Sequence, residues 1–309
     1  MENREVHRTA KAMAAGLRSL LAETLGLVEQ VTCTPYWDRP LRGCQAAHEM
    51  DLEEGDPGRP AGSWPWLTAL TFGRSALDLA AEEASGFSAV LDVGATSASA
   101  EVLCRGILES TSLSWWLLDP AITHRQRLAR AFAYRLDGAT MTARAVKHFG
   151  LEAGEDPSEY GELPAQVVEE IGTLGLPWSG GSRSPCCCDG ECMPGHSELV
   201  AALVAEVWHD KPEAKLPYAF LSEMAHAGLQ GLARGSRLFG NDATTPDANH
   251  QFWVWLDAYL VIGALTFSAH RAASFLGLAD QTAALAEWTG SSQGKLLTLR
   301  PETSENDGA

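Results

Sequence analysis

Apolar residues recur at three- and four-residue steps along most of the chain, the spacing of buried helical faces. In segment 4–30, Met13, Leu17, Leu20, Leu21, Leu25 and Val28 share one side of an amphipathic helix expected to pack on the main body. Segments 67–84 and 96–118 predict two central helices, the second capped by Thr96 or Ser97 behind Gly94 and stopped by Asp119-Pro120. Asp119 then suits an N-cap, and Pro120 the first position, of a third helix that closes on Gly150. Leu128, Phe132, Leu136, Ala139, Ala143 and Val146 form its buried stripe. Shorter helices are expected over 163–174, 197–208 and 217–234, a long one from Thr245-Pro246 to Leu276, and a last one over 279–288.

Elsewhere the pattern breaks. Prolines, glycines and acidic residues between Val31 and Pro65 predict a long irregular connection, and Pro177 to Gly195 reads as a loop rich in glycine, serine and cysteine. From Gly290 onward, polarity and weak periodicity predict a disordered tail. With no run of β-branched residues at period two, the expected fold class is all-α, a multi-helix bundle with a long N-terminal loop and a disordered C-terminal tail. The expected division is an N-terminal helix and loop over 1–66, the bundle over 67–289 and the tail over 290–309.

Composition adds limits. With 309 residues and 45% hydrophobic side chains the chain can bury a sizeable core. Its 40 acidic against 23 basic residues give a formal charge of −17, which opposes long-range attraction to nucleic acid or an anionic membrane unless a local basic patch overrides it. No DNA partner is expected. Met1 to Gly16 carries no long apolar run, so no secretory signal is expected, and seven cysteines read as thiols of a reducing, cytoplasmic compartment. Phe252 to Ala269 is apolar enough to span a membrane, but Asp257 lies inside it and no second such segment accompanies it. A buried core helix is the expectation, with no membrane partner.

The candidate chemistry centres on Glu101, Arg105 and Glu109, which recur every four residues and share one helical face among apolar neighbours such as Leu103, Cys104, Ile107 and Leu108. Such a ladder is expected to be at least partly buried, either as an ion triad that fixes packing or as the lining of a polar pocket. Ser222 and His226 lie one turn apart, without the glycine-framed serine of a nucleophile elbow. The third helix carries Arg125, Arg127, Arg130, Arg135, Arg144 and Lys147 against one acid, Asp137. This is either a face paired with acidic neighbours or a site for a phosphate-bearing partner. Cys186, Cys187, Cys188, Cys192 and His196 include a Cys-x3-Cys-x3-His spacing that is a partial zinc site; without a second pair the loop reads as oxidation-prone, and no metal or other cofactor is expected. The ten tryptophans read mainly as core.

At Leu103-Cys104-Arg105-Gly106-Ile107-Leu108-Glu109, at Trp115-Trp116-Leu117-Leu118-Asp119-Pro120, and at Tyr218-Ala219-Phe220-Leu221-Ser222-Glu223-Met224-Ala225-His226, the chain resembles a family of uncharacterised actinobacterial all-helical proteins. In them an Arg-x3-Glu helix pairs with a later Ser-x3-His helix, and the resemblance spans about Leu70 to Leu276. That family is distantly similar to HEPN-type bundles, some of which cleave RNA through an Arg-x4-6-His motif while others have lost catalysis and mediate contacts. His226 lacks an arginine at that upstream spacing, and the one formal match, Arg42 with His48, falls in the N-terminal loop. The resemblance implies an internal polar site of Arg105, Glu109, Ser222 and His226 that binds or acts on an anionic ligand or RNA, in a defence or stress role. Arg105 would hold the anionic group, Glu109 would orient Arg105, and His226 would serve as base or donor. The alternatives are a non-catalytic scaffold that homodimerises through its helices, and a zinc-binding regulator.

Overall fold

The predicted apolar stripes fold as helices around a shared core. A computed structural model describes residues 2–55, 65–92, 97–148, 157–181, 184–208, 217–219, 221–222 and 248–301. Its helices are α1 (Glu2–Thr32), α2 (Gln45–Glu54), α3 (Pro65–Asp92), α4 (Ser97–Leu117), α5 (His124–His148), α6 (Pro157–Thr173), α7 (His196–Val207), α8 (Ala248–Leu276) and α9 (Ala279–Thr298). The protein is an all-α multi-helix bundle.

Small residues set the closest helix contacts. A Cβ on Gly73 would stand 2.7 Å from Leu118, and one on Gly106 would stand 2.6 Å from Glu83, so α3 and α4 run antiparallel with their backbones close. Helix α8 lies against α1, α3, α4, α7 and α9, and buries Ala258, Leu260, Val261, Ile262, Leu265, Ala269 and Phe275. Gly263 admits α7, because a Cβ there would come within 2.5 Å of Val207. Among the described residues only Gln251–Leu276 is long and apolar enough to cross a membrane, and it lies mostly inside the protein, as the core-helix expectation requires. On α1 the expected stripe of Met13, Leu17, Leu20, Leu21 and Val28 is buried against α3, α8 and α9. Trp288 Nε1 of α9 donates to the buried Thr24 Oγ1 at 2.9 Å.

Four expectations need correction. Helix α5 begins at His124, not Pro120: Gln126 N donates to Thr123 Oγ1 at 3.3 Å, and Thr123 N donates to the Gln126 side chain at 3.0 Å. This reciprocal cap leaves the Asp119 carboxylate to accept from Ala121 N in the preceding turn. The connection from Val31 to Pro65 holds a 3-10 turn, Pro35–Trp37, and the whole of α2. The inward face of α2 is Ala46, Ala47, Glu49 and Glu53, so it presents no apolar stripe for a periodicity argument to find. The segment Pro177 to Gly195, expected as a loop, instead forms a three-stranded antiparallel sheet: β1 (Trp178–Gly181), β2 (Ser184–Cys188) and β3 (Glu191–Cys192), in that order, with β2 and β3 on α5. Asp189 and Gly190, at φ of 47° and 84°, make the two-residue turn between β2 and β3. That turn sets Cys187 opposite Cys192, and the two form a disulfide; Cys33, Cys44, Cys104, Cys186 and Cys188 remain thiols. Helix α9 continues through Thr298, past the point at Gly290 where the tail was expected.

Candidate functional site

The Glu101, Arg105, Glu109 ladder runs along α4 from a fully buried to a partly exposed end. Glu101 is fully buried beside Cys104. Burial first, then the charges of Asp257 and Glu101, push the Cys104 thiol well above its usual range. Arg105 and Glu109 have side chains 19% and 27% exposed. Arg105 Nε donates to Glu109 Oε1 at 2.8 Å, and the Tyr218 hydroxyl donates to the same oxygen at 2.6 Å. The guanidinium also lies over the Tyr218 ring, 5.6 Å from its centre.

The electrostatics follow from these contacts. Burial raises the Glu109 pKa, but the hydrogen bonds from Tyr218 and Arg105 outweigh it and hold the carboxyl below its ordinary value, with a smaller contribution from His196 at the start of α7. Tyr218 is pushed up to about 12 by burial and by donating to Glu109, so it remains a neutral donor. Glu83, packed over Gly106 from α3, moves the other way: burial raises its pKa, and the Glu109 charge raises it further. This end of α4 therefore holds an arginine paired with one carboxylate, with a second carboxyl nearby that resists ionisation.

Of the four residues expected to share a site, Arg105 and Glu109 meet directly. Ser222 lies half-buried one turn beyond Tyr218 in the helical segment that reaches α4. His226 lies outside the described residues. Tyr218, Glu83 and His196 complete the surroundings; Tyr218 stood in the Tyr218-to-His226 motif, but nothing in the spacing marked its hydroxyl as the partner of Glu109.

A deeper charged network lies where α2, α4, α5 and α8 meet. Arg127, placed by the sequence on a basic face, is fully buried. Its Nε donates to Glu49 Oε2 at 2.9 Å, its Nη2 reaches Glu49 Oε1 and Asp119 O, its Nη1 donates to Leu117 O, and its guanidinium lies 4.0 Å from the Phe275 ring centre. Gln45 Nε2 donates both to Glu49 Oε1 and to Ile122 O. His124 stands between the Glu49 and Glu53 carboxylates at 3.6 and 3.7 Å. Burial raises the Glu49 pKa, but hydrogen bonds from His124 and Arg127 and the Arg127 charge bring it below its ordinary value.

Three other α5 arginines are paired as well. Arg125 meets Asp189, Arg130 meets Glu191 at 2.9 Å and donates to Trp116 O, and Arg135 meets Glu170. Arg271 of α8 joins Asp119 at 3.1 Å over the Trp115 ring. The acidic-neighbour reading of the basic helix holds for these arginines. Among the described residues no cluster of three or more His, Cys, Asp or Glu side chains is placed to hold a metal ion, and Cys192 is bonded to Cys187 rather than turned toward a Cys188 and His196 set. Comparison with family models, with curated proteins and with solved structures finds no match.

Proposed function

We propose that the protein is a non-catalytic helical scaffold, HEPN-like in descent and of the contact-mediating kind, that associates through its helices with a second copy of itself. The observation that carries this reading is the internal pairing of six of its arginines. Arg105, Arg125, Arg127, Arg130, Arg135 and Arg271 each lie against a carboxylate of the same chain. A phosphate would have to displace those carboxylates within a chain whose formal charge is −17. The test combines sedimentation of the purified chain with incubation of a single-stranded RNA oligonucleotide at low and moderate salt. The scaffold reading expects a mass of two chains, intact RNA and no salt-dependent binding. RNA cleavage that disappears in Arg105→Ala contradicts it, as does a monomeric mass at all concentrations.

A second reading rests on the partial exposure of Arg105 and on Ser222 standing one turn from Tyr218. In it, Arg105 takes a small anionic ligand or an RNA phosphate in exchange for its present contacts, with Ser222 and His226 as hydrogen-bonding or proton-transfer groups. Binding of inorganic phosphate that is lost in Arg105→Ala, while the fold persists, would favour this reading over the scaffold.

A further inference from the structure

The β2–β3 hairpin carries both a disulfide and the acids that cover α5. We propose that Cys187–Cys192 is a reversible thiol–disulfide site, open to thiol reductants, whose state sets how firmly the hairpin holds Arg125 and Arg130. The inference does not depend on the scaffold reading. Cys192 is exposed and Cys187 half-buried, so an incoming thiolate can approach the Cys192 sulfur from solvent. The flanking thiols are withdrawn from exchange. Cys186 and Cys188 are buried, and burial followed by the Asp189 charge pushes the Cys188 thiol up to about 11. They stay protonated at neutral pH and compete poorly for the bond.

The chemistry balances with two thiols. The first thiolate attacks Cys192 Sγ; the sulfur–sulfur bond breaks, its electron pair leaves on Cys187 Sγ, and that sulfur takes a proton. A mixed disulfide now joins Cys192 to the reductant. A second thiolate attacks the reductant's sulfur, forms the small disulfide and releases Cys192, which is protonated in turn. Two electrons and two protons enter the protein, and an external disulfide leaves. In a reducing compartment a surface disulfide of this kind is expected to cycle rather than persist.

Position gives the step a consequence. Strand β3 has two residues, and its ladder with β2 consists of Cys187 with Cys192 and Cys188 with Glu191. Asp189 at the turn pairs with Arg125, and Glu191 pairs with Arg130 and accepts from Gln126. The disulfide is the covalent closure of the element that neutralises this end of α5. Once it opens, β2 stays anchored by its pairing with β1 and by the buried Cys186 and Cys188. The end that carries Asp189 and Glu191 is then held by a short ladder, one turn and partly exposed ion pairs. The reduced form presents Arg125 and Arg130 for a larger share of the time.

The test equilibrates the full chain in graded mixtures of reduced and oxidised glutathione, quenches with acid, and alkylates under denaturing conditions before mass analysis. The oxidised chain is expected to take five alkyl groups and the reduced chain all seven, the two added groups falling at Cys187 and Cys192 in one two-electron step with helical circular dichroism unchanged. Amide exchange over 184–193 is expected to quicken about tenfold on reduction. A Cys187→Ser, Cys192→Ser variant should exchange like the reduced chain in every buffer. Seven alkylated cysteines in the most oxidising buffer, reduction that occurs only as the helices unfold, or equal exchange in both forms would each overturn the proposal.

Discussion

Arg127 and Arg105 both stand on helices and both hold a glutamate, yet the environment makes different residues of them. The Arg127 guanidinium is enclosed by α2, α4 and Phe275, and carboxylate and carbonyl oxygens surround it. The Arg105 guanidinium shares one edge with Glu109 and keeps a fifth of its side chain in solvent. The helix that bears a charge does not determine its burial; the elements that close over it do. Helix α4 is the more apolar of the two, yet the deeper arginine belongs to α5, because α2 delivers Glu49 and Gln45 onto it from far along the chain.

The largest expected effect breaks this comparison at its deep end. Arg127→Ala leaves Glu49 buried without its main partner and should cost about 3–5 kcal/mol of stability in urea unfolding. Replacing both partners, Arg127→Met with Glu49→Leu, should recover most of that loss, since an apolar pair leaves no stranded charge. A loss below about 1 kcal/mol for the single variant would mean that water reaches Glu49.

At Arg105 and Glu109 the effects are smaller. Tyr218→Phe removes one of two hydrogen bonds to Glu109 and should cost about 1 kcal/mol. It should also raise the Glu109 pKa, read by carbon NMR of its carboxyl. Glu109 and Glu49 both titrate below their ordinary values in the folded protein, so their stabilisation is complete above the unfolded carboxylate pKa and declines as pH falls through the folded values. Acid unfolding followed from neutral pH downward should steepen in that window, and Glu49→Gln should flatten it.

The smallest effect has the opposite sign. The Glu83 pKa is raised, so its contribution is present below the unfolded carboxylate pKa and is lost as pH rises through the folded value. At neutral pH Glu83 is therefore a liability, and Glu83→Gln should stabilise the protein by less than about 1 kcal/mol once solvent screening is counted. Thermal melts at neutral and acidic pH should show the gain only at the higher pH.

The sequence was legible where burial followed an apolar period. The stripe of α1, the Leu128, Phe132 and Leu136 half of the α5 stripe, the core position of α8 and the ladder of Arg105 and Glu109 all came from spacing, and the structure keeps them. Ala139, Ala143 and Val146, by contrast, are only half-buried. It was illegible where buried positions are polar or uniform. Helix α2 turns Glu49 and Glu53 inward, so its amphipathic pattern is inverted. Strand β2 alternates Cys186 inward, Cys187 outward and Cys188 inward, a period of two written in one residue type and thus without contrast. Tyr218 needed the approach of its segment to α4, which no local pattern encodes. The Asp189-Gly190 pair was the available signal for the hairpin, since that dipeptide favours the two-residue turn.

The central claim is that the arginines act as internal ties whose worth rises with enclosure. Two double-mutant cycles under one set of conditions test it most directly, Arg127 with Glu49 and Arg105 with Glu109, each partner changed singly and together and the unfolding free energies compared. The first pair should couple by about 2–3 kcal/mol and the second by about 0.5–1 kcal/mol. Equal couplings, or a stronger one at Arg105, would contradict the account.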